Sequence, residues 1–389
     1  MQAESPDRAT TGDKSTDDCH CYICQAEYLS YGTTERRAQD LQIPAEPNAG
    51  ARAGTGGGLG ALPDLKAACR DYAEVNAQVL QDVILRVERA FQAFFRRIQA
   101  GEEAGHPRFQ GRGRYHSFTY PQYGGGAVLD GGLLSLSKIG RIRIRLHRPL
   151  QGTPKTVTIS READGWYACI SCAEVPARPL PEIGRKTGID LGLESFATLA
   201  DGTMIHNPRC YRTAEAYLRR CQRRVTRRTK GSSRRRKAVK LFAKAHLKVR
   251  RQRQDFHHKS ALQSVRQYDA IYCEALQTAN MVQNHQLAKS ISDAGWSAFL
   301  TVLAFKAAYA GKQAVAVPPA YTSQRCSGCG REVWKALSVR WHQCPHEDCG
   351  ASLHRDHNAA RNILALGNKE SGAGQAPQAR TWPVGASVA

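Results

Sequence analysis

The sequence predicts a mixed α/β protein. An α/β core carries acids at strand ends and holds an inserted cysteine knob; a helical segment and a small basic β-barrel or sheet precede it. Three observations predict this. Residues 109–181 alternate apolar and polar side chains with a period of two. Short apolar runs, "GIDLGL", "AIYCEAL" and "QAVAVPP", are then separated by longer helical stretches. Two cysteine pairs, Cys326-x2-Cys329 and Cys344-x4-Cys349, break the pattern just before its last helix.

Composition narrows the class. A chain of 389 residues is long enough for two to four domains. Lys and Arg outnumber Asp and Glu by 56 to 34, a net charge of +22. Such a surplus points to a polyanion partner, nucleic acid before an anionic membrane. No apolar run approaches the ~20 residues a membrane span needs, and the polar start "MQAESPDRATTGDKSTDD" lacks a secretory apolar segment. These features read as a cytoplasmic protein with no membrane contact. There, thirteen cysteines serve metal or burial before disulfides.

Residues 1–62 include "AEPNAGARAGTGGGLGALP", which buries little surface, and disorder is the expectation. Cys19, Cys21 and Cys24 lie there at C-x-C-x2-C spacing, with His20 badly placed as a fourth ligand. Free thiols are the preferred reading over a metal site. Residues 63–108 read as helical. Val79, Val83, Val87, Ala90, Phe91 and Phe94 form one apolar stripe, with Gly101 as a stop. Elsewhere on that helix Asn76, Gln78 and Gln81, with Arg86, Arg96 and Arg97, offer a nucleic-acid face. In 109–181, Arg141, Arg143 and Arg145 alternate with isoleucines, so one face is apolar and the other cationic. Cys169 and Cys172 fall on opposite faces of one strand, which favours buried thiols over a chelate.

Residues 182–319 open with "GRKTGIDLGLESFATLADGTMI", read as two strands joined by a turn at Gly192–Ser195. Between Tyr211 and Lys259 the spacing predicts two long basic helices broken at "KGSS". Like charges at i, i+4 repel, so this pattern needs a polyanion. Arg227, Arg228, Lys230, Arg234, Arg235, Arg236, Lys237, Arg250 and Arg251 are the contact candidates. "QYDAIYCEAL" reads as a buried strand ending at Glu274; one helix over "NHQLAKSISDAGWSAFLTVLAFKAAYAG" follows, then a strand. After the knob, 320–350, the segment 351–367 closes the core with the helix "HNAARNILALG", and 368–389 read as a disordered tail.

The C-x2-C and C-x4-C pairs, each followed by glycine, make the zinc-ribbon pattern. Four thiolates give the closed tetrahedron of a structural Zn²⁺. Buried thiols are the plainer alternative, and His346, inside the second gap, could replace one thiolate. Three acids sit where charge is costly: Asp190 within "GIDLGL", Glu274 ending "AIYCEAL", and Asp356 opening the last helix. An acid at a strand end is ordinarily surface chemistry. Three in this order suit a pair of Mg²⁺ or Mn²⁺ ions acting on a phosphodiester.

In the stretches "GIDLGLESFATLADG", "GSSRRRKA", "QRQDFHHK", "QLAKSISDAGWSAF", "YTSQRCSGCG" and "HRDHNAARNIL", the chain resembles the transposon-encoded TnpB proteins, relatives of type V CRISPR effector nucleases. The match runs from about Leu65 to Gly367. The resemblance implies a RuvC-like, ribonuclease-H-type core with an inserted zinc ribbon. It implies Asp190, Glu274 and Asp356 as catalytic, magnesium-binding acids and Cys326, Cys329, Cys344 and Cys349 as zinc ligands. It implies RNA-guided cutting of double-stranded DNA by a monomer carrying a transposon-derived guide RNA, which reads a short adjacent motif. Asn76, Gln78 and Gln81 become motif-reading candidates, because amides pair with adenine. Tyr115, Phe118 and Tyr120 are candidates for stacking on bases or for the barrel core. Family members usually begin with a basic, aromatic strand and a long helix, and residues 1–60 show neither. A decayed DNA/RNA-binding protein is therefore the alternative to an active nuclease; a cut-and-join transposase fits the zinc ribbon less well.

Overall fold

The computed structural model describes residues 20–26, 59–108, 114–336 and 338–372. The chain divides after Pro176 into two compact units. The first holds helices α1 (Leu62–Ala68), α2 (Arg70–Ala73) and α3 (Ala77–Gln99). Its strands are β1 (His20–Ala26), β2 (Ser117–Tyr120), β3 (Ala127–Asp130), β4 (Leu133–Leu136), β5 (Gly140–Arg145), β6 (Thr153–Arg161) and β7 (Trp166–Ala173). They form one seven-stranded antiparallel sheet in the order β2-β6-β7-β1-β5-β4-β3. The order has two ends. The chain between β2 and β3 bridges them: Tyr123 N donates to Lys155 O at 2.8 Å, and Ser137 N donates to Gly126 O at 2.7 Å. Alternation places Ile144, Val157, Ile159, Ala168 and Ile170 in the core, while Arg141, Arg143 and Arg145 are exposed.

Two expectations fail here. Disorder throughout 1–62 is corrected by β1, which pairs with β7 over its whole length and with β5 at its end. Seven residues of strand-forming sequence are hard to see beside Gly/Ala-rich chain, yet without them the facing backbone edges of β5 and β7 would go unpaired. The apolar stripe of α3 is also not buried as a whole. Val79, Leu80 and Asp82 are buried, whereas Val87 and Phe95 are about half exposed. Only the first half of the helix meets the sheet, where Arg86 bridges Asp82 (2.7 Å) and Thr119 Oγ1 on β2 (2.7 Å).

The second unit is built on β8 (Lys186–Leu191), β9 (Ser195–Leu199), β10 (Met204–His206), β11 (Ala270–Glu274) and β12 (Gln313–Val317). Their order is β10-β9-β8-β11-β12: an antiparallel meander continued by two parallel strands. The third meander strand, β10, was not expected; Asp201-Gly202 makes its turn, with Gly202 at φ +87°. Helices α4 (Cys210–Thr226) and α5 (Ser233–Gln267) form the basic hairpin. Leu218 and Cys221 pack on Ala245 and Val249 along its seam. Then come α6 (Thr278–Met281), α7 (Ala288–Ala294) and α8 (Trp296–Tyr309). The single helix expected over 284–311 is broken at Gly295, which takes φ +66°. A Cβ there would lie 3.1 Å from His257 Cε1.

One sheet face, with Ile189, Phe196, Ile271 and Cys273, packs on α5 and α8. The other, with Tyr272, Val315 and Val317, is covered by α9 (Arg355–Gly372) through Ile363. This helix continues beyond Gly367, the expected stop. Gly367 is a close-approach residue: a Cβ there would fall 2.1 Å from the Tyr272 ring. The small ribbon β13 (Trp341–Gln343) and β14 (Ser352–His354) precedes α9.

Candidate active site and cysteine knob

Strand register brings two of the acids together. β8 and β11 run parallel with Ile189 opposite Cys273, so Asp190 and Glu274 are the next neighbours on strands about 4.8 Å apart. Ile189 and Cys273 face α5 and α8, so by alternation both acids face α9. The third acid arrives with that helix. Gly188 lets α9 touch β8, since a Cβ there would lie 2.2 Å from Ala360 O and 2.5 Å from Leu364 N. One turn before Ala360, Asp356 stands over the strand ends, its Oδ2 3.8 Å from the Cβ position of Gly192. Asp356 is in the first turn of α9, where the helix dipole favours negative charge.

The electrostatics agree with this placement. Burial, then the charges of Glu274 and Asp356, hold the Asp190 carboxyl well above its usual range; Arg355 and Arg340 offset them in part. Burial also raises Glu274, and the Thr322 hydroxyl, which donates to its Oε1, opposes that. Arg340 reaches Glu194 Oε2 (3.1 Å) and Asp356 Oδ1 (3.9 Å). His354 Nδ1 accepts from Asp356 N at 3.3 Å. The charges of Glu274 and Asp356 both reach Asp190, with the guanidinium groups of Arg355 and Arg340 near them, although among the described residues these carboxyls do not draw together as tightly as the cysteine quartet. A donor set of carboxylates alone fits Mg²⁺ or Mn²⁺.

The four cysteines converge more tightly. Among the described residues, Cys326, Cys329, Cys344 and Cys349 are the group whose ligating atoms all lie within 4.8 Å of one another. Cys326 and Cys349 sulfurs are 3.6 Å apart, and those of Cys329 and Cys344 are 3.7 Å apart. A tetrahedron with Zn–S of about 2.3 Å has edges of about 3.8 Å, so the quartet could bind zinc. Burial alone would raise the Cys326 thiol, but the backbone N–H groups of Cys329 and Gly328 and the side chains of His342 and Cys349 bring it down to about 6. Gly328 is required, because a Cβ there would meet Cys349 Sγ at 2.9 Å. His346 is outside the quartet, which disposes of it as a substitute ligand.

The knob is fastened to α9. Asn358, fully buried, accepts from Ser327 N (2.8 Å) and donates to Arg325 O (2.7 Å). Asn362 donates to Thr322 O (2.8 Å) and Arg325 O (2.7 Å). Arg355 N donates to Arg340 O at 2.7 Å, and Arg355 Nη1 to Ala336 O at 3.0 Å. Sequence reading missed Thr322, Arg340, Asn358 and Asn362. The one visible signal was the asparagine pair at i, i+4, on the helix that carries Asp356.

The nucleic-acid candidates separate. Arg227, Arg228, Lys230, Arg234, Arg236, Lys237, Arg250 and Arg251 are exposed on the hairpin. Arg235 has a structural task, donating to Val225 O (2.9 Å) and Arg228 O (3.2 Å) across the turn. Asn76 is the N-cap of α3, accepting from Gln78 N at 2.9 Å. Gln78 accepts weakly from Gln122 N at 3.4 Å, and Gln81 is exposed. Tyr120 is not a stacking platform: it is buried, its hydroxyl donates to Ser137 O at 2.9 Å, and burial pushes its pKa up to about 12. Phe118 is half-buried beside it and Tyr115 is exposed.

Known proteins match this chain along most of its length. Residues 169–285 match the OrfB_IS605 family, described as "Probable transposase", and residues 296–363 match the Cas12f1-like TNB domain. A "Putative RNA-guided DNA endonuclease" of Streptomyces pristinaespiralis is 35% identical over 308 residues, covering 77% of this chain and 74% of that one. The "Putative RNA-guided DNA endonuclease InsQ" of Escherichia coli K12 is 32% identical over 320 residues, covering 78% and 77%. A Cas12f1 chain in a structure titled "Cryo-EM structure of the Cas12f1-sgRNA-target DNA complex" superposes with a TM-score of 0.49 at 14% identity, over 80% of this chain and 76% of that one. The sequence relatives define a class, the transposon-associated proteins named as endonucleases. Within it, the chain belongs to the TnpB family.

Proposed function

We propose that the protein is an RNA-guided DNA endonuclease, with a RuvC-like core that hydrolyses phosphodiesters at Asp190, Glu274 and Asp356. The observation that carries this reading is their convergence: two strand-end acids in register, and a third brought over them by α9. These carboxylates would hold a pair of Mg²⁺ or Mn²⁺ ions, which supply an activated water and stabilise the leaving oxygen. The protein's own part is positional. Arg340 and Arg355 moderate the repulsion among the acids, and Thr322 directs Glu274. The cysteine quartet, with zinc bound, keeps no open position for water and serves structure.

A guide RNA and a DNA duplex are the proposed partners, from the names of the relatives and the excess of 22 positive charges. The decayed-binder reading rested on the missing basic, aromatic strand and long helix at the front of the chain; β1 adds a strand to the sheet, and cutting activity decides between the two readings. The test is to purify the protein from cells carrying its own flanking DNA, sequence the RNA that comes with it, and offer a matching duplex with Mg²⁺. Double-strand cutting of the matched duplex alone is expected. Absence of bound RNA together with uncut DNA would refute the proposal.

A further inference from the structure

The segment leading into the cysteine knob does more than connect it. Thr322 is buried, 4% exposed, and its hydroxyl donates to Glu274 Oε1. A threonine has one proton to give, and the competing acceptor, Pro319 O, lies 3.2 Å away. A charge-assisted bond to a carboxylate is the stronger of the two. Thr322 is itself fixed from α9, since Asn362 holds its carbonyl and that of Arg325. Asn358 grips the first cysteine knuckle at Ser327 and Arg325. Both asparagines follow Asp356 on one helix. A single polar lattice therefore joins the knob, the helix of one acid and the side chain of another.

We infer that Thr322 is a positioning residue that sets the carboxylate of Glu274 for divalent-ion binding, and that the Asn358 and Asn362 clamp transmits this setting from the cysteine knob. The inference rests on Glu274 being an ion ligand, as proposed above. A hydrogen-bonding partner behind a ligating group typically changes metal affinity by about ten- to a hundredfold.

The test compares Thr322→Val, which keeps the shape and removes the hydroxyl, with Thr322→Ser, which keeps the hydroxyl. Mn²⁺ binding is followed by electron paramagnetic resonance on the RNA-loaded protein, with zinc content measured on the same samples. Thr322→Val is expected to raise the half-saturating Mn²⁺ concentration about tenfold or more, with zinc content unchanged and Thr322→Ser close to wild type. Should Thr322→Val fail to fold, Thr322→Ala makes the same comparison. Wild-type Mn²⁺ binding in the folded variant, or equal loss in Thr322→Ser, would overturn the inference. Glu274→Gln serves as the control. If it too binds Mn²⁺ normally, the site assignment fails; if it loses Mn²⁺ while Thr322→Val does not, only the role of Thr322 fails.

Discussion

At the residue scale, a carboxylate in an apolar strand is costly unless something balances it. Asp190 sits in such a strand with two further acids as its neighbours. Replacing it by Asn keeps the shape and removes the charge. Asp190→Asn or Glu274→Gln is expected to lower cleavage by at least ~10²-fold with RNA affinity unchanged, measured by single-turnover cutting and filter binding. His257 makes a separate prediction. Its ring is buried and donates to Ala294 O at 2.8 Å, and burial pushes its pKa down to about 4. A depressed histidine pKa means that the unfolded chain takes up the proton first. Stability is complete above pH ~6.5 and falls as pH drops toward ~4, by up to about 3 kcal/mol. Urea midpoints at pH 7.5 and pH 5 check this, and His257→Gln, which keeps a donor, is expected to flatten the difference.

At the element scale, the basic hairpin shows that a run of arginines is not one function repeated. Arg235 ties the end of α4 to the start of α5, while Arg234 beside it is exposed. Arg235→Ala is expected to cost about 1.5–3 kcal/mol of stability. Arg234→Ala is expected to leave stability alone and to reduce the salt dependence of RNA binding by about one unit of slope. Thermal melts and salt titrations separate the two. Gly367→Ala drives a methyl group into Tyr272, an overpacking cost of about 1–3 kcal/mol that denaturant unfolding would read. The elements that carry the acids were legible because a charged residue interrupts an otherwise apolar strand. Gly367 was misread because a glycine that ends a helix and one that lets a helix touch a ring look the same in sequence. β1 was hidden for a different reason. A short strand is specified by the edges it fills, and those edges lie more than a hundred residues away.

At the scale of the whole molecule, hydrogen bonds and an ion pair tie the cysteine knob and its lead-in to Glu274, to Asp356 and to the helix that carries Asp356. The knob's two cysteine pairs bracket Arg340, which reaches Asp356. The lead-in to its first pair carries Thr322, which reaches Glu274. None of these links could be read from spacing, because each depends on α9 lying across the sheet. Chelation of zinc is therefore expected to abolish cutting before it unfolds the rest of the chain, seen as lost activity with most of the helical circular dichroism retained. The most direct measurement of the central claim, that three distant acids form one divalent-ion site, is Mn²⁺ titration of Asp190→Asn, Glu274→Gln and Asp356→Asn beside the wild type. All three variants should lose affinity together, by about tenfold or more. A folded variant of any of the three that takes up Mn²⁺ as the wild type does would contradict it.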